Sequence, residues 1–151
     1  MAWERTDPNV LELPSGRLVR GRSLHAASAS EETAPGFELI LLGKRHEFES
    51  QIAAPSAADE SRWVKWPDFW LPSDPRDAAE AMHELWKHAE SLRVGVACSG
   101  GRGRIGTAMA CIAIIDGVAP HEAVSLVRRG YDARAVETPW QNRFVEEFTG
   151  R

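Results

Sequence analysis

The chain has 151 residues, a 43% apolar composition and a formal charge of −4. That size and apolar content fit one domain, residues 1–151, built around one core. The acidic balance excludes a nucleic-acid binder held by a general positive field. Apolar runs are too short to span a bilayer, and the opening residues Met1 to Arg5 carry no signal-peptide run. The expected setting is cytoplasmic, with no nucleic-acid or membrane partner, and the composition sets no oligomeric state. Two cysteines, Cys98 and Cys111, do not make a disulfide scaffold, and the five histidines are scattered without zinc-ligand spacing. No metal and no cofactor are expected. Fifteen of the eighteen basic residues are Arg. Arg suits bidentate oxyanion contacts, although a compositional bias is the simpler reading.

In chain order, Val10 to Leu13 and Arg17 to Gly21 flank Pro14-Ser15-Gly16, which predicts a hairpin. Residues 25–36 read as a surface loop. Phe37 to Leu42 is a strand, residues 50–60 form a second loop, and Arg62 to Trp66 alternates as a strand does. Asp74 caps a helix with Pro75 in its first position, running to about residue 91 with Ala78, Met82, Leu85, Trp86 and Ala89 on one face. Arg93 to Ala97 is a short buried strand. Helices follow at Ile105 to Ile115 and at Pro120 to Arg129, the latter stopped by Gly130. Thr138 opens the last one. The pattern predicts an α/β fold, a central and mostly parallel twisted sheet flanked by helices.

The informative stretch runs from Val96 to Thr107. A strand enters a glycine-rich loop, Ser99-Gly100-Gly101-Arg102-Gly103-Arg104, and the loop opens a helix. Such a loop aims backbone N–H groups at its own centre, and the helix N-terminus adds partial positive charge. A tetrahedral oxyanion such as phosphate suits that cradle. Cys98 stands at its start, in surroundings that favour the thiolate, the attacking form of sulfur. Arg104, six residues on, can grip two oxygens with one planar fork.

Cys98-x5-Arg104 resembles the signature loop of the protein tyrosine phosphatase superfamily, in its small dual-specificity branch. Trp66-Pro67-Asp68-Phe69 resembles that superfamily's acid loop, and Ala135 to Gln141 resembles the segment downstream of the signature. The three motifs span residues 66–141, and the first 60 residues match nothing. The resemblance implies a phosphomonoester hydrolase, a tyrosine or dual-specificity type of protein phosphatase. Cys98 would form a phosphocysteine, Asp68 would protonate the leaving oxygen, and the amides of the P-loop from Ser99 to Arg104 would bind the phosphoryl group. Substrates would be a phosphorylated protein or a small phosphorylated molecule. Gln141 is read either as a positioner of the hydrolytic water or, from Thr138-x-x-Gln141, as half of a capping box. Arg102 is a solvated loop charge or a substrate contact, and Arg134 is placed at the pocket rim.

Two positions depart from the family pattern. Ala97 stands where His is usual, and Ile105 where a hydroxyl usually stabilises the departing thiolate. These departures imply a slow second step. They also motivate an alternative, a weak pseudophosphatase that only binds phosphate groups. A repurposed member acting on a metabolite is another alternative, and a rhodanese-like sulfurtransferase, which needs no Asp68, a third. Gly101-x-Gly103-x-x-Gly106 also matches a dinucleotide fingerprint, but no second strand with a terminal acid follows. Cys111, mid-helix among apolar residues, reads as core.

Overall fold

The computed structural model describes residues 2–24, 35–44, 59–99 and 102–149. They form strands β1 (Val10–Glu12), β2 (Leu18–Ser23), β3 (Phe37–Leu42), β4 (Glu60–Lys65) and β5 (Val94–Cys98), and helices α1 (Pro75–His88), α2 (Gly103–Ile115), α3 (Pro120–Gly130) and α4 (Pro139–Glu147). Most of the two expected loops, at 25–34 and 50–58, lies outside the described residues.

The sheet order is β1-β2-β5-β3-β4. The expected hairpin is present, with Val10 opposite Arg20 in the antiparallel β1–β2 pair. The other pairings, β2–β5, β5–β3 and β3–β4, are parallel. Alternation along each strand sends Val19, Leu39, Leu41, Val94, Val96 and Cys98 to one face. There they join one core with Ala78, Met82 and Leu85 of α1, Ile105, Met109 and Ile112 of α2, Val127 of α3 and Val145 of α4. All four described helices therefore pack on that face. Helix α2 is buried from Gly103 through Ala113, which accounts for its unbroken apolar run from Ala108 to Ala113.

Gly106 shows why α2 carries glycine inside a helix. A Cβ there would sit 2.5 Å from Ala135 Cβ and 2.9 Å from Val136 N. The glycine lets the 135–136 segment press against the helix backbone, so packing explains this part of the G-x-G-x-x-G spacing. Gly130 departs from expectation. It is the last residue of α3 rather than a left-handed stop, and a Cβ on it would lie 2.6 Å from Leu11 Cδ1. Close approach to β1, not chain reversal, selects glycine. Helix α1 also ends earlier than expected, at His88, with its start capped as predicted by Asp74 accepting from the amides of Arg76 and Asp77.

On the other face of the sheet, Arg22 forks onto the buried Glu38 at 2.8 and 2.7 Å. That bond is the main cause raising the Arg22 guanidinium above its ordinary pKa. Trp3, also buried, donates its indole N–H to the Val94 carbonyl at 2.8 Å and lies under the Arg20 guanidinium, 4.3 Å from the ring centroid. A charged pair inside an apolar strand such as Phe37–Leu42 left no mark in the periodicity.

Candidate active site

In a parallel sheet, ligands gather outside the carboxyl ends of the strands. Here β2, β5, β3 and β4 end at Ser23, Cys98, Leu42 and Lys65 on one edge, and the chemistry-bearing loops start from two of them. Cys98 is the last residue of β5, and the acid loop leaves β4 directly.

Cys98 is 1% exposed and faces the helical side of the sheet. Its backbone is fixed by the neighbouring strand end. The Leu24 amide donates to the Cys98 carbonyl at 2.9 Å, and the Ser23 hydroxyl donates to the Ser99 carbonyl at 2.7 Å. Gly100 and Gly101 lie outside the described residues. Arg102 is the residue before α2, and Gly103 and Arg104 open the helix. Tyr131 lies across Gly21, where a Cβ would come within 2.5 Å of its phenol oxygen. Burial, then the negative charges of Cys98 and Asp132, push that phenol above its ordinary pKa.

Arg104 is buried, 3% exposed. Its Nη1 donates to the Trp66 carbonyl at 3.0 Å, and its Nη2 lies 3.6 Å from Asp68 Oδ1. Its Nε is buried and has no hydrogen-bond partner among the described residues. A buried charged donor left without an acceptor is costly and rare, and such a donor is what an oxyanion would satisfy. Asp68 is more than half exposed, at the open end of the same constellation. Sequence reasoning placed Cys98, Arg104 and Asp68 together. The structure brings Arg104 and Asp68 to 3.6 Å, with Cys98 at the end of the strand whose loop leads to Arg104.

The acid loop is pinned at both ends and in the middle. The Trp66 amide extends the sheet to the Leu42 carbonyl at 3.0 Å, and the Ser73 amide returns to the Lys65 carbonyl at 2.9 Å. Between them the Trp70 amide donates to the Pro67 carbonyl at 3.1 Å, with Phe69 in the left-handed region at φ 63°. The buried Trp66 indole donates to the Trp70 carbonyl at 2.8 Å. From α4, Gln141 Nε2 donates to that same carbonyl at 3.1 Å, and Trp140 Nε1 donates to the Phe69 carbonyl.

Gln141 is fully buried. Its Oε1 accepts from the Glu137 and Thr138 amides at 3.1 and 3.3 Å, and its own amide donates to Thr138 Oγ1 at 3.2 Å. The capping box is therefore present, and its free end fastens the acid loop. Arg102, about half exposed, has Nε 3.8 Å from Asp132 Oδ2, and the same Asp132 accepts from the Arg134 amide at 2.8 Å. Asp132 thus faces Arg102 and closes the turn that carries Arg134. Ile105 is fully buried in the core, and Thr107 Oγ1 is turned back onto the Gly103 carbonyl at 2.6 Å. Cys111 is buried as core filler, and burial raises its thiol pKa. Ser23 and Tyr131 carried no sequence signal, because each reaches the site from a distant element, and the Ala135–Gln141 resemblance gave Trp140 no role of its own.

A protein-family model described as protein-tyrosine phosphatase matches residues 44–136, more than half of the chain and a range that contains Asp68, Cys98 and Arg104. The chain belongs to the protein-tyrosine phosphatase family. The family identifies it as an enzyme of the protein-tyrosine-phosphatase type. Among solved structures it is similar to kinase associated phosphatase with its catalytic-site cysteine replaced by serine, at 17% identity and a TM-score of 0.71 over 95% of each chain. It is similar to Tk-PTP in the active form, at 23% identity and a TM-score of 0.67 over 95% of this chain and 98% of that one. It is also similar to the core catalytic domain of the PP-IP phosphatase SIW14 from S. cerevisiae, at 14% identity and a TM-score of 0.59 over 99% of this chain and 88% of that one. These likenesses show the fold, which is that of the small dual-specificity-like phosphatases. A comparison with curated proteins finds no match. Among the described residues no helix is long and apolar enough to cross a membrane, and no group of three or more His, Cys, Asp or Glu could hold a metal ion.

Proposed function

We propose that this phosphatase hydrolyses phosphomonoesters through a phosphocysteine on Cys98, with Arg104 as the phosphate clamp and Asp68 as the general acid. The observation that carries the reading is Arg104. It is a buried guanidinium at the helix end of the loop that follows Cys98, its Nε has no hydrogen-bond partner among the described residues, and a carboxylate lies 3.6 Å from its Nη2. The Cys98 thiolate attacks phosphorus and forms the S–P bond as the P–O bond to the leaving group breaks. Asp68 gives its proton to the departing oxygen. Water then loses a proton to the Asp68 carboxylate and attacks the same phosphorus. The S–P bond breaks, the thiolate is restored and inorganic phosphate leaves. The amides of Ser99 to Arg104 and the Arg104 fork hold the phosphoryl oxygens throughout.

Cys98 is 1% exposed, and a phosphoryl group on a slender stem reaches a buried sulfur more readily than a bulky one. That favours phosphotyrosine or a small phosphorylated molecule. Arg102 and Arg134, beside the loop, favour a substrate with more than one negative charge. SIW14 is described as a PP-IP phosphatase, and a small polyphosphorylated molecule is the second reading on that account. Gln141 contributes by fixing the loop that bears Asp68.

The test is turnover of p-nitrophenyl phosphate by the unaltered chain beside Asp68→Asn. A general acid typically contributes about 10²–10⁴-fold. The Asn variant should lose at least about 10²-fold in kcat for phenyl phosphate, whose leaving group needs the proton, and less for p-nitrophenyl phosphate. Equal rates for Asp68→Asn and the unaltered chain on phenyl phosphate would remove Asp68 from the acid's role, as the sulfurtransferase alternative requires, and no turnover of either ester would favour the phosphate-binding one.

Ile105 makes a second expectation. With no hydroxyl beside Arg104 to stabilise the departing thiolate, hydrolysis of the phosphoenzyme limits the cycle. Ile105→Thr is expected to raise steady-state kcat and shrink the pre-steady-state burst. The buried hydroxyl should cost about 1–3 kcal/mol in stability, read from urea midpoints. An unchanged burst would contradict the assignment of the slow step.

A further inference from the structure

Trp70 and Trp140 lie against each other at the protein surface, ring centroids 5.4 Å apart and planes at 27°. They are 60% and 42% exposed. Large aromatic rings left in water need a reason, and a docked pair on either side of a loop boundary supplies one. Trp70 belongs to the acid loop and Trp140 to the first turn of α4. The stack does not act alone. The Trp140 indole N–H is donated to the Phe69 carbonyl, and the next residue of the helix, Gln141, donates to the Trp70 carbonyl at 3.1 Å. Two successive carbonyls of the acid loop are thus held from one turn of one helix. Phe69, the residue between Asp68 and Trp70, has φ 63°. A bulky residue keeps that conformation only where its surroundings over-determine it.

We propose that Trp140 is a positioning residue for the reaction: it clamps the Phe69–Trp70 turn to α4, and so holds Asp68 beside Arg104 before any substrate arrives. Trp140 is bonded to the turn beside Asp68, not to Asp68 or Arg104, among the described hydrogen bonds. It works through the Phe69 carbonyl and the Trp70 ring, and the Gln141 bond, anchored by the capping box, provides the rigid base. Loss of Trp140 leaves Trp70 without its facing ring and frees the Phe69 turn to relax to negative φ, which swings the carboxyl group away from the clamp. The inference rests on Asp68 being the general acid, as proposed above.

The experiment uses the full chain in two measurements. Hydrogen exchange without substrate is followed by mass spectrometry on peptides covering residues 66–73, for the unaltered chain, Trp140→Ala and Trp140→Phe. Exchange in that segment should rise about tenfold or more in Trp140→Ala while α1 and α2 keep their protection, with Trp140→Phe, which keeps a ring and loses the N–H, in between. Rates on phenyl and p-nitrophenyl phosphate are compared in the same proteins. The kcat of Trp140→Ala should fall about tenfold more for phenyl than for p-nitrophenyl phosphate, with KM little changed, because only the poor leaving group depends on the acid. Unchanged exchange at 66–73 overturns the proposal. So does exchange that rises equally throughout the chain, or a kcat loss that ignores the leaving group. If the unaltered chain turns over neither ester, the phosphatase reading falls and the catalytic role of Trp140 with it, whereas the exchange data still decide whether Trp140 fastens the loop.

Discussion

Cys98→Ser should abolish turnover, lowering kcat for p-nitrophenyl phosphate by about 10⁴-fold or more. A hydroxyl is far less ionised than a thiol near neutral pH and makes a poor nucleophile, while little else in the chain replaces it. The loss corresponds to about 5.5 kcal/mol of transition-state stabilisation. Serine is close to cysteine in size, and Cys98 sits at the end of β5 with its carbonyl held by Leu24 and the Ser99 carbonyl held by Ser23. The fold should persist, so an unaltered far-UV spectrum and a thermal midpoint within a few degrees separate chemical loss from unfolding. Binding of the oxyanion tungstate should also survive, because the loop amides and Arg104 are untouched. A variant keeping a tenth of the activity would mean that another group attacks phosphorus.

Arg104→Lys keeps the charge and removes the fork. Three functions are lost together. Nη1 no longer reaches the Trp66 carbonyl, Nη2 no longer faces Asp68, and the Nε donor is gone. An ammonium presents a compact point charge, which cannot reproduce two parallel N–H bonds to a phosphoryl group. The expected loss is about 10²–10³-fold in kcat/KM, or about 3–4 kcal/mol. Tungstate affinity should fall with it, and exchange in the acid loop should rise, since one of the ties at Trp66 is cut. Activity within a few-fold of the unaltered chain would remove Arg104 from the role of clamp.

The candidate site was legible because its motif is local. Cys98, Arg104 and the glycines between them lie on one strand–loop–helix stretch, and that order alone sets a nucleophile beside an anion cradle. Asp68 became legible only through its distance from Cys98 and its Trp66-Pro67 neighbours. The strands and helices followed from apolar periodicity and from caps such as Asp74 and Thr138. What stayed hidden is non-local. The partner of Trp70 lies seventy residues away, at Trp140, and neither side chain's pattern announces the other. Ser23 reaches Ser99 only because β2 and β5 pair in parallel with Ser23 opposite Cys98. Glu38 hides in an apolar strand because Arg22 of β2 reaches it across the intervening β5. Gly130 looked like a helix stop, yet the contact that selects it, Leu11, belongs to a different element.

The central claim is that phosphate passes through the sulfur of residue 98. Rapid mixing with substrate, an acid quench within the first turnover and peptide mass spectrometry test it directly. The account predicts phosphate on the peptide containing Cys98 in the unaltered chain, at higher occupancy than in Ile105→Thr, and none in Cys98→Ser. Steady release of phosphate from substrate with no label on that peptide, or with label on any other residue, would contradict it.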